Sequence, residues 1–263
     1  MRRSSPSSTS PAPERGAATR VVVVTGAAGG VGRATVDLFH DEGWYVVAVD
    51  RVQRTDSGGA DRFVNADVAV NESVEGIADL LADLGHVDAL VNNAAIQIHK
   101  TISETTPSEW DAIMATNLRG AYLMTRVLHP LLRVRGGAVV NVSSVHAVAT
   151  SRAIGAYAVS KGAVVSLTRS SALDLAADHI RVNAVLPGAV DTPLLRDGLS
   201  AKVDGTVEEG MRRLSARTPL GRIGRPEEIA SAIHFLADSG RSSFITGQLL
   251  IVDGGATVRL STE

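Results

Sequence analysis

Short runs of β-branched and apolar residues alternate with longer segments of helical period along most of this chain. The short runs are typical of strands buried on both faces, and they occupy residues 21–25, 44–50, 63–66, 88–91, 138–142, 180–185 and 248–252. Apolar residues three and four positions apart predict helices, over residues 30–43, 71–84, 107–133, 155–176 and 226–237. This alternation predicts an α/β fold, with one doubly wound, seven-stranded parallel sheet and helices on both faces.

The first residues of the chain do not share this pattern. Residues 1–19 are dominated by Ser, Pro and Ala and have no apolar period, which predicts a disordered N-terminal tail. The segment also lacks the apolar stretch of a secretory signal. We therefore expect a single folded domain over residues 20–263, with no second domain and no internal repeat.

Composition excludes several classes of function. The chain has 263 residues, 44% of them hydrophobic and 21% charged, which is enough for an ordinary globular core. A net charge of −2 with scattered Lys and Arg gives no footprint for nucleic acid, and no apolar run is long enough to cross a membrane. Cysteine is absent, and the seven histidines lack metal-ligand spacing. A cytoplasmic protein without a metal, acting on a small molecule, is expected.

A glycine-rich turn joins the first strand to the first helix. It reads TGAAGGVG over residues 25–32, and the next strand ends in Asp50, eighteen residues after Gly32. Glycines let the backbone approach a pyrophosphate, whose charge is met by N–H groups at the helix N-terminus. The acidic residue is placed to accept hydrogen bonds from an adenosine ribose. The pattern predicts a dinucleotide site in a Rossmann-type fold, and a plain tight turn is the alternative.

A second cluster lies where the fifth strand ends. Ser144 follows that strand, and Tyr157 and Lys161 are four residues apart on one face of the next helix. A phenol has a pKa of about 10, which a nearby ammonium is expected to lower towards neutrality. A hydroxyl, a phenol and an ammonium together can do acid–base chemistry on a carbonyl or alcohol. Alone, such a pair is weak evidence, because a surface pair contributes only about 0.2–0.5 kcal/mol.

Taken in order, these features resemble the short-chain dehydrogenase/reductase family over essentially residues 20–257. The matching motifs are Thr25-Gly26-x-x-x-Gly30-x-Gly32, Asp67-Val68, Asn92-Asn93-Ala94, Asn117, Ser144, Tyr157-x-x-x-Lys161 and Pro187-Gly188 followed by Thr192. Ser144 precedes Tyr157 by thirteen residues, as is usual in that family. One departure is Ala95, where the family more often has glycine.

The resemblance implies a role for each residue of the catalytic set. Tyr157 would be the general acid and base, and Ser144 would orient the substrate oxygen. Lys161 would bind the nicotinamide ribose and tune Tyr157. Asn117, inside the helix over residues 107–133, would position a water that relays protons to Lys161. The alternative for Asn117 is a polar residue merely accommodated in a helix.

The resemblance also implies a set of cofactor contacts. Asn92 and Ala94 would line the groove after the fourth strand. NAD is favoured over NADP, because Asp50 would face a 2′-phosphate and the glycine turn offers no Arg or Lys. Arg51 is the complication, since it could pair with that phosphate. The expected contacts are Gly26, Gly30, Val31, Gly32, Asp50, Arg51, Asp67, Val68, Asn93, Ala94, Tyr157, Lys161, Pro187, Gly188, Val190 and Thr192.

Signals for the substrate are fewer. The segment over residues 194–218 has uneven periodicity and falls where the family carries a variable lid over the site. Polar residues follow strand ends at the same edge of the sheet, which favours a small hydroxylated or carboxylated substrate. The alternative for His146 and His99 is that they are ordinary solvated histidines in loops. Expected substrate contacts are Ser144, His146, Gln97 and Tyr157, with His99 and Arg152 nearby.

Three functions fit this sequence. The first is an NAD-dependent dehydrogenase of a small polar secondary alcohol, such as a sugar, polyol or hydroxy acid. The second is an NADPH-dependent 3-oxoacyl-thioester (acyl-carrier-protein) reductase, whose motifs would be the same. The third, from another class, is a non-catalytic protein that senses the cofactor. The intact set of Ser144, Tyr157, Lys161 and Asn117 argues against the third.

Apolar residues on more than one face of two helices predict a homo-oligomer. A helix that is apolar beyond its core-facing stripe usually has a second partner. The family resemblance points to a tetramer, in which like helices pair across two-fold axes. The residues behind this prediction are Tyr122, Leu128 and Leu132 on one helix, and Ala163, Val164, Leu167 and Ser171 on the other.

Overall fold

A computed structural model describes residues 19–52, 58–200 and 205–258. In this part of the chain seven strands form one parallel sheet, in the order β3-β2-β1-β4-β5-β6-β7. All seven predicted strands are present, and their ends differ from the prediction by at most two residues. The strands are β1 Val21–Thr25, β2 Tyr45–Asp50, β3 Arg62–Asn65, β4 Ala89–Asn92, β5 Ala138–Val142, β6 Arg181–Pro187 and β7 Leu249–Val252.

Helices connect the strands. The predicted helical region over residues 107–133 contains a π-helical turn, whereas the one over residues 155–176 is a regular helix as far as Asp174. Of the predicted tail over residues 1–19, residues 1–18 lie outside the described residues. The helices are α1 Gly30–Asp41, α2 Asn71–Glu75, α3 Ile77–Leu80, α4 Pro107–Met114, α5 Gly120–Leu132, α6 Gly155–Asp174, α7 Pro193–Ser200, α8 Val207–Arg217, α9 Pro226–Ala237 and α10 Ser239–Ser242.

One predicted helix is broken. The single helix expected over residues 71–84 is instead α2, α3 and a 3₁₀ turn over Ala82–Leu84. Gly76 stands at the first break, and the 3₁₀ turn ends at Gly85, whose φ is +74°. Glycine loses more conformational freedom in a helix than any other residue, so it weakens the helix where it stands. The apolar spacing was read correctly, but the length of the helix was not.

The two faces of the sheet carry separate layers of helices. Along β1, Val21 and Val23 pack into one core and Val22 and Val24 into the other, and all four side chains are fully buried. Complete burial of such a side chain contributes about 1.5–3 kcal/mol. Helix α5 packs on the first face, whereas α1 and α9 pack on the second. The doubly wound architecture is therefore confirmed.

Part of the surface expected to support an oligomer is buried inside the protein. Leu128, Leu132 and Val164 have exposed fractions of 0%, 0% and 2%, so they belong to the core. Leu128 and Leu132 are one helical turn apart, and their shared stripe faces the sheet. Tyr122 is exposed, as expected. The prediction that Leu128, Leu132 and Val164 lie on a face free to contact another subunit was wrong.

The topology fixes where a ligand can bind. Strands β1 and β4 are neighbours, and the chain leaves them towards opposite edges of the sheet. In open parallel sheets this switch point leaves a crevice outside the carboxyl ends of the strands. The glycine turn and the loops after β4, β5 and β6 all meet there. Among the described helices, none is both long and apolar enough to cross a bilayer.

Candidate active site

The glycine turn is tightly enclosed by neighbouring loops. Gly26 has a φ of +64°, and a Cβ there would lie 2.7 Å from the Cα of Ala94. A Cβ on Gly30 would lie 2.5 Å from the Cγ2 of Thr192, and one on Gly32 would overlap the carbonyl oxygen of Gly26. Only glycine fits at these three positions. The lack of side chains lets the turn pack this closely, and Gly26, Gly29 and Gly30 line a cleft at the start of α1, which suits a dinucleotide pyrophosphate.

Hydrogen bonds hold the loop after β4 against this turn. The Asn93 amide Nδ2 donates to the carbonyl oxygens of Thr25 at 3.0 Å and Gly26 at 3.1 Å. The Asn93 backbone N–H donates to the Thr25 hydroxyl at 3.0 Å. Asn92 points the other way, and its Nδ2 donates to Asn141 Oδ1 at 2.9 Å inside the protein. Asn93 therefore lines the crevice, whereas the expected place of Asn92 in the groove was wrong.

Gly32→Ala is expected to loosen the turn and to weaken cofactor binding at least tenfold. The new methyl group would displace the Gly26 carbonyl, and overpacking of this kind costs about 1–3 kcal/mol. Gly76→Ala is a matched control, because a Cβ there meets no atom within 4 Å. The control is expected to gain up to about 1 kcal/mol in stability. Thermal unfolding with and without NAD measures both effects. Equal stability and equal stabilisation by NAD in the two variants would contradict the proposed role of the glycine turn in cofactor binding.

Asp50 ends β2 at one end of the crevice. Its Oδ2 accepts a hydrogen bond from the Ala28 backbone N–H at 2.9 Å, and its Oδ1 accepts one from Val52 N–H at 3.0 Å. The carboxylate is thereby tied to the glycine turn and held in one orientation. The Arg51 guanidinium lies 4.0 Å from Asp67 Oδ2 and is 64% exposed. Such an exposed pair is worth little energy, but it draws Arg51 towards the loop after β3.

The structure brings Ser144, Tyr157 and Lys161 together. Ser144 follows β5 and its hydroxyl accepts a hydrogen bond from the His146 backbone N–H at 3.2 Å. Tyr157, in the first turn of α6, is hydrogen-bonded to Ser144 through its side chain. Lys161 Nζ lies 5.6 Å from the centre of the Tyr157 ring and donates to the Val142 carbonyl at 2.8 Å. All three side chains are buried.

Burial dominates the ionisation of this cluster. It raises the pKa of Tyr157 to about 12, although the hydrogen bond to Ser144 acts in the opposite direction. It lowers the pKa of Lys161 to about 8, because the charged ammonium is removed from water. The expectation that Lys161 lowers the Tyr157 pKa was wrong for this structure, since the effect of burial on the phenol is larger. At neutral pH the phenol is protonated and can donate a hydrogen bond.

Asn117 lies beside this cluster rather than in it. It sits in a π-helical turn over Ala115–Arg119, between α4 and α5. Its Oδ1 accepts from the Ile96 N–H at 2.8 Å, and its Nδ2 donates to the Ile96 carbonyl at 2.9 Å and the Ser160 hydroxyl at 3.0 Å. The side chain therefore fixes the loop after β4 against α6. A role in holding a water near Lys161 stays a prediction.

One cleft of about 760 Å³ runs along the carboxyl edge of the sheet. All the expected cofactor and substrate residues line it except Asn92 and Gly32, and Asn117 does not line it either. We call its two extremities the Asp50 end and the Tyr157 end, after the residues found there. Lining residues not foreseen from the sequence include Val52, Ala66, Ile96, Thr116, Leu214, Arg217, Thr218, Ala256 and Thr257.

Two helices cover the Tyr157 end. The expected lid over residues 194–218 consists of α7 and α8, and its residues 201–204 lie outside the described part. Side chains of Gln97 and His99 contact each other, and a Cβ on Gly198 would meet both of them. A Cβ on Gly210 would lie 2.8 Å from Leu199 Cδ2. Glycines thus let α8 pack on α7, and α7 on the loop after β4.

His146 lies beside the reactive cluster, and its contact with a substrate stays a prediction. Its ring lies edge-on to the Tyr157 ring, with the two ring centres 5.9 Å apart. Its Nδ1 is 3.1 Å from the Thr150 hydroxyl, which fixes the ring orientation. A small molecule bound against Tyr157 and Ser144 would therefore meet an imidazole edge.

Comparisons with known proteins agree with this site. A family model described as Enoyl-(Acyl carrier protein) reductase matches residues 26–257. A cis-4-hydroxycyclohexanecarboxylate dehydrogenase of Sinomonas cyclohexanicum is 41% identical over 91% of this chain and 97% of that protein. A 3-oxoacyl-[acyl-carrier-protein] reductase of Thermotoga maritima is 36% identical over 91% of this chain and 98% of its own length. The solved aldohexose dehydrogenase of Thermoplasma acidophilum has a TM-score of 0.86 at 37% identity, covering 92% of this chain and 96% of that one.

The chain belongs to the short-chain dehydrogenase/reductase family. Proteins of this family are oxidoreductases that act on a CH–OH group with a nicotinamide dinucleotide. The residues present fit such a cofactor, because the glycine cradle and the carboxylate of Asp50 lie at one end of the same cleft that holds Tyr157 at the other.

Proposed function

We propose that this protein is an NAD-dependent dehydrogenase of a small polar secondary alcohol. The proposal is carried by the observation that an acid–base cluster and a glycine turn line one cleft. The buried Ser144, Tyr157 and Lys161 cluster lines the same cleft as a glycine turn at the N-terminus of α1. A proton-transfer group and a cofactor cradle at one crevice are what alcohol oxidation requires.

Each residue of the cluster has a separate task in this proposal. The bound nicotinamide supplies the chemistry of hydride transfer with the carbinol carbon. The Tyr157 phenol oxygen exchanges a proton with the substrate oxygen, and the Ser144 hydroxyl holds that oxygen in place. Lys161, one helical turn away, would bind the nicotinamide ribose.

NAD is proposed as the cofactor on the strength of Asp50. Its carboxylate is held by two backbone N–H groups at the end of β2, where the ribose hydroxyls of NAD could donate to it. A 2′-phosphate at the same place would meet a like charge. Among the described residues, the neighbouring Arg51 lies near Asp67 instead.

A polar alcohol is proposed because of the groups at the Tyr157 end. Gln97, His99, His146 and Arg152 all line that part of the cleft. The names of two relatives support a polar alcohol as the substrate. One relative is a dehydrogenase of a hydroxy acid, and a solved neighbour is a dehydrogenase of aldohexoses. The second candidate, a 3-oxoacyl-thioester reductase, is supported by the relative from Thermotoga maritima.

We also propose a homotetramer in the cytoplasm, built from one domain. Exposed apolar side chains remain on α5 and α6, notably Tyr122, Val159 and Leu173. A helix with such a second apolar face usually has a partner. Light scattering at micromolar concentration tests the assembly, and the mass of one chain would contradict it.

A screen of cofactor and alcohol together tests the function. NAD and NADP are each offered with sugars, polyols, hydroxy acids, neutral cyclic alcohols and 3-hydroxyacyl thioesters, and the nicotinamide absorbance is followed. Reduction of NAD by a small polar alcohol is expected. A preference for the thioesters with NADP would favour the reductase, whereas cofactor binding without any turnover would favour a sensing protein.

Oxidation and reduction are expected to respond differently to pH. Alcohol oxidation requires the Tyr157 phenolate to accept a proton, and the high pKa of about 12 leaves little phenolate at neutral pH. Below that pKa the phenolate fraction rises about tenfold per pH unit, so kcat/KM for oxidation should rise with pH. Ketone reduction uses the protonated phenol and should not rise. Profiles for both directions at constant ionic strength check this, and a flat oxidation profile below about pH 8 would contradict it.

A further inference from the structure

Charged residues are sorted along the cleft. Its acidic lining residues are Asp50 and Asp67, both at the Asp50 end. Among the described residues that line the Tyr157 end there is no carboxylate. That end instead carries the buried Lys161 and two arginines, Arg152 and Arg217. A cleft with one cationic end raises the local concentration of anions there.

Arg152 is followed by a residue with an unusual backbone conformation. Ala153 has a φ of +59°, in the left-handed region that a residue with a Cβ seldom adopts. This conformation costs about 1 kcal/mol or more for alanine, and such strain is found where a site imposes it. The turn joins Arg152 to the start of α6, only five residues before Tyr157. Arg152 and the phenol therefore lie at the same opening.

Arg217 approaches the site from the opposite wall. It lies in the last turn of α8, and Leu214 and Thr218 from the same stretch also line the cleft. Helix α8 is seated on α7 by the close contact of Gly210 with Leu199. Because α7 in turn packs on the loop after β4, α8 brings Arg217 to the wall of the same cleft that Tyr157 lines.

Neither arginine is paired within the part of the chain that the structure describes. Among the described residues, no ion pair or hydrogen bond is found for Arg152 or Arg217. Most other arginines of the surface do have carboxylate partners, for example Arg62 with Asp83 at 2.6 Å. Two guanidinium groups that face a cleft without a partner are available to an anionic ligand.

We propose that the substrate is a hydroxy acid, and that Arg152 and Arg217 bind its carboxylate while Tyr157 and Ser144 hold its alcohol oxygen. This inference rests on the proposed function and names its substrate class. A guanidinium matches a carboxylate with two parallel hydrogen bonds. Between the cationic rim and the phenol, the wall is apolar, which suits a hydrocarbon body better than a sugar. That wall consists of Leu194, Leu195, Leu199 and Leu214.

The test compares hydroxy acids with their own carboxamides. A ladder of acids, including cis-4-hydroxycyclohexanecarboxylate, varies the distance between carboxylate and alcohol, and each acid is paired with its neutral amide. The wild-type enzyme with NAD should prefer the acid by about 10–100-fold in kcat/KM, as expected for hydrogen bonds to a charged group. Arg217→Gln and Arg152→Gln should each lower that preference at least severalfold.

Arg212→Gln is the matched control. Arg212 lies on the same helix as Arg217, is exposed, and does not line the cleft. It should keep the full preference of the wild type for acids. Added salt should reduce the preference of the wild type and leave that of Arg217→Gln largely unchanged. Turnover of the neutral amides by Arg212→Gln should equal that of the wild type.

Several outcomes would overturn the inference. Equal use of acid and amide by the wild type would do so, as would a better rate with the corresponding phosphate ester. Oxidation of neutral alcohols with no preference for acids would support the proposed dehydrogenase function and refute only the proposed carboxylate site. If nothing is oxidised, calorimetry of the keto acid and keto amide with the NADH complex decides the point. Tighter binding of the keto acid, lost in Arg217→Gln, would support the carboxylate site, and equal binding would refute it.

Discussion

Tyr157→Phe is expected to lower kcat/KM for alcohol oxidation by about 10²–10⁴-fold, the usual contribution of a general acid–base group. Phenylalanine keeps the buried ring and its edge contact with His146. It removes only the hydroxyl that is hydrogen-bonded to Ser144. Because the proton is exchanged in the transition state, binding of NAD should hardly change.

The comparison needs a control and a contrast. Tyr122→Phe removes a phenol that is 48% exposed on α5, far from the cleft, and should leave kcat/KM unchanged. Lys161→Met should reduce activity and also weaken NAD binding, since that lysine is expected to contact ribose. It also removes the hydrogen bond to the Val142 carbonyl. A Tyr157→Phe enzyme with half the wild-type kcat would exclude the phenol from the mechanism.

Asp50→Ala is expected to remove most of the preference for NAD. We expect the wild type to favour NAD over NADP by at least about tenfold in kcat/KM, which corresponds to about 1.4 kcal/mol. The carboxylate would accept hydrogen bonds from the ribose of NAD and repel the extra phosphate of NADP. Rates with each cofactor at equal concentration measure the ratio.

The alanine variant alone has a weakness. It also removes the acceptor of the Ala28 N–H, so the glycine turn could loosen for both cofactors. Asp50→Asn keeps an oxygen acceptor and removes the charge, and it should improve the use of NADP with less effect on NAD. Arg51→Ser tests whether the neighbouring guanidinium assists NADP. Equal use of both cofactors by the wild type, or an unchanged ratio in both Asp50 variants, would show that Asp50 does not select.

Local patterns were sufficient to predict the sheet. Each strand is a short β-branched run, and burial on both faces of a parallel sheet demands such runs. The motif positions also followed from the pattern, because the carboxyl ends of parallel strands share one edge. That is why the glycine turn, Ser144 and the Pro187–Gly188 loop could be assigned to one crevice before the structure was known.

Features that depend on packing were harder to foresee. The direction in which the Asn92 side chain points depends on the residues that surround it in the folded protein. The same is true of the depth at which Tyr157 is buried. Arg217 could not be placed because its position depends on α8 lying against α7. One signal was missed, since Thr206 and Glu209 form a capping box at the start of α8. That pattern was present in the sequence and would have predicted a helix within the lid.

The most direct test of the account is the reduction of NAD by a secondary alcohol, measured for wild type and Tyr157→Phe together. Appearance of NADH with at least one small polar alcohol is expected from the wild type, and the variant should bind NAD equally well while losing about 10²–10⁴-fold of the rate. Absence of NADH and NADPH formation with every alcohol, and of their oxidation by the matching ketones, would contradict it. So would a Tyr157→Phe variant that turns over as fast as the wild type.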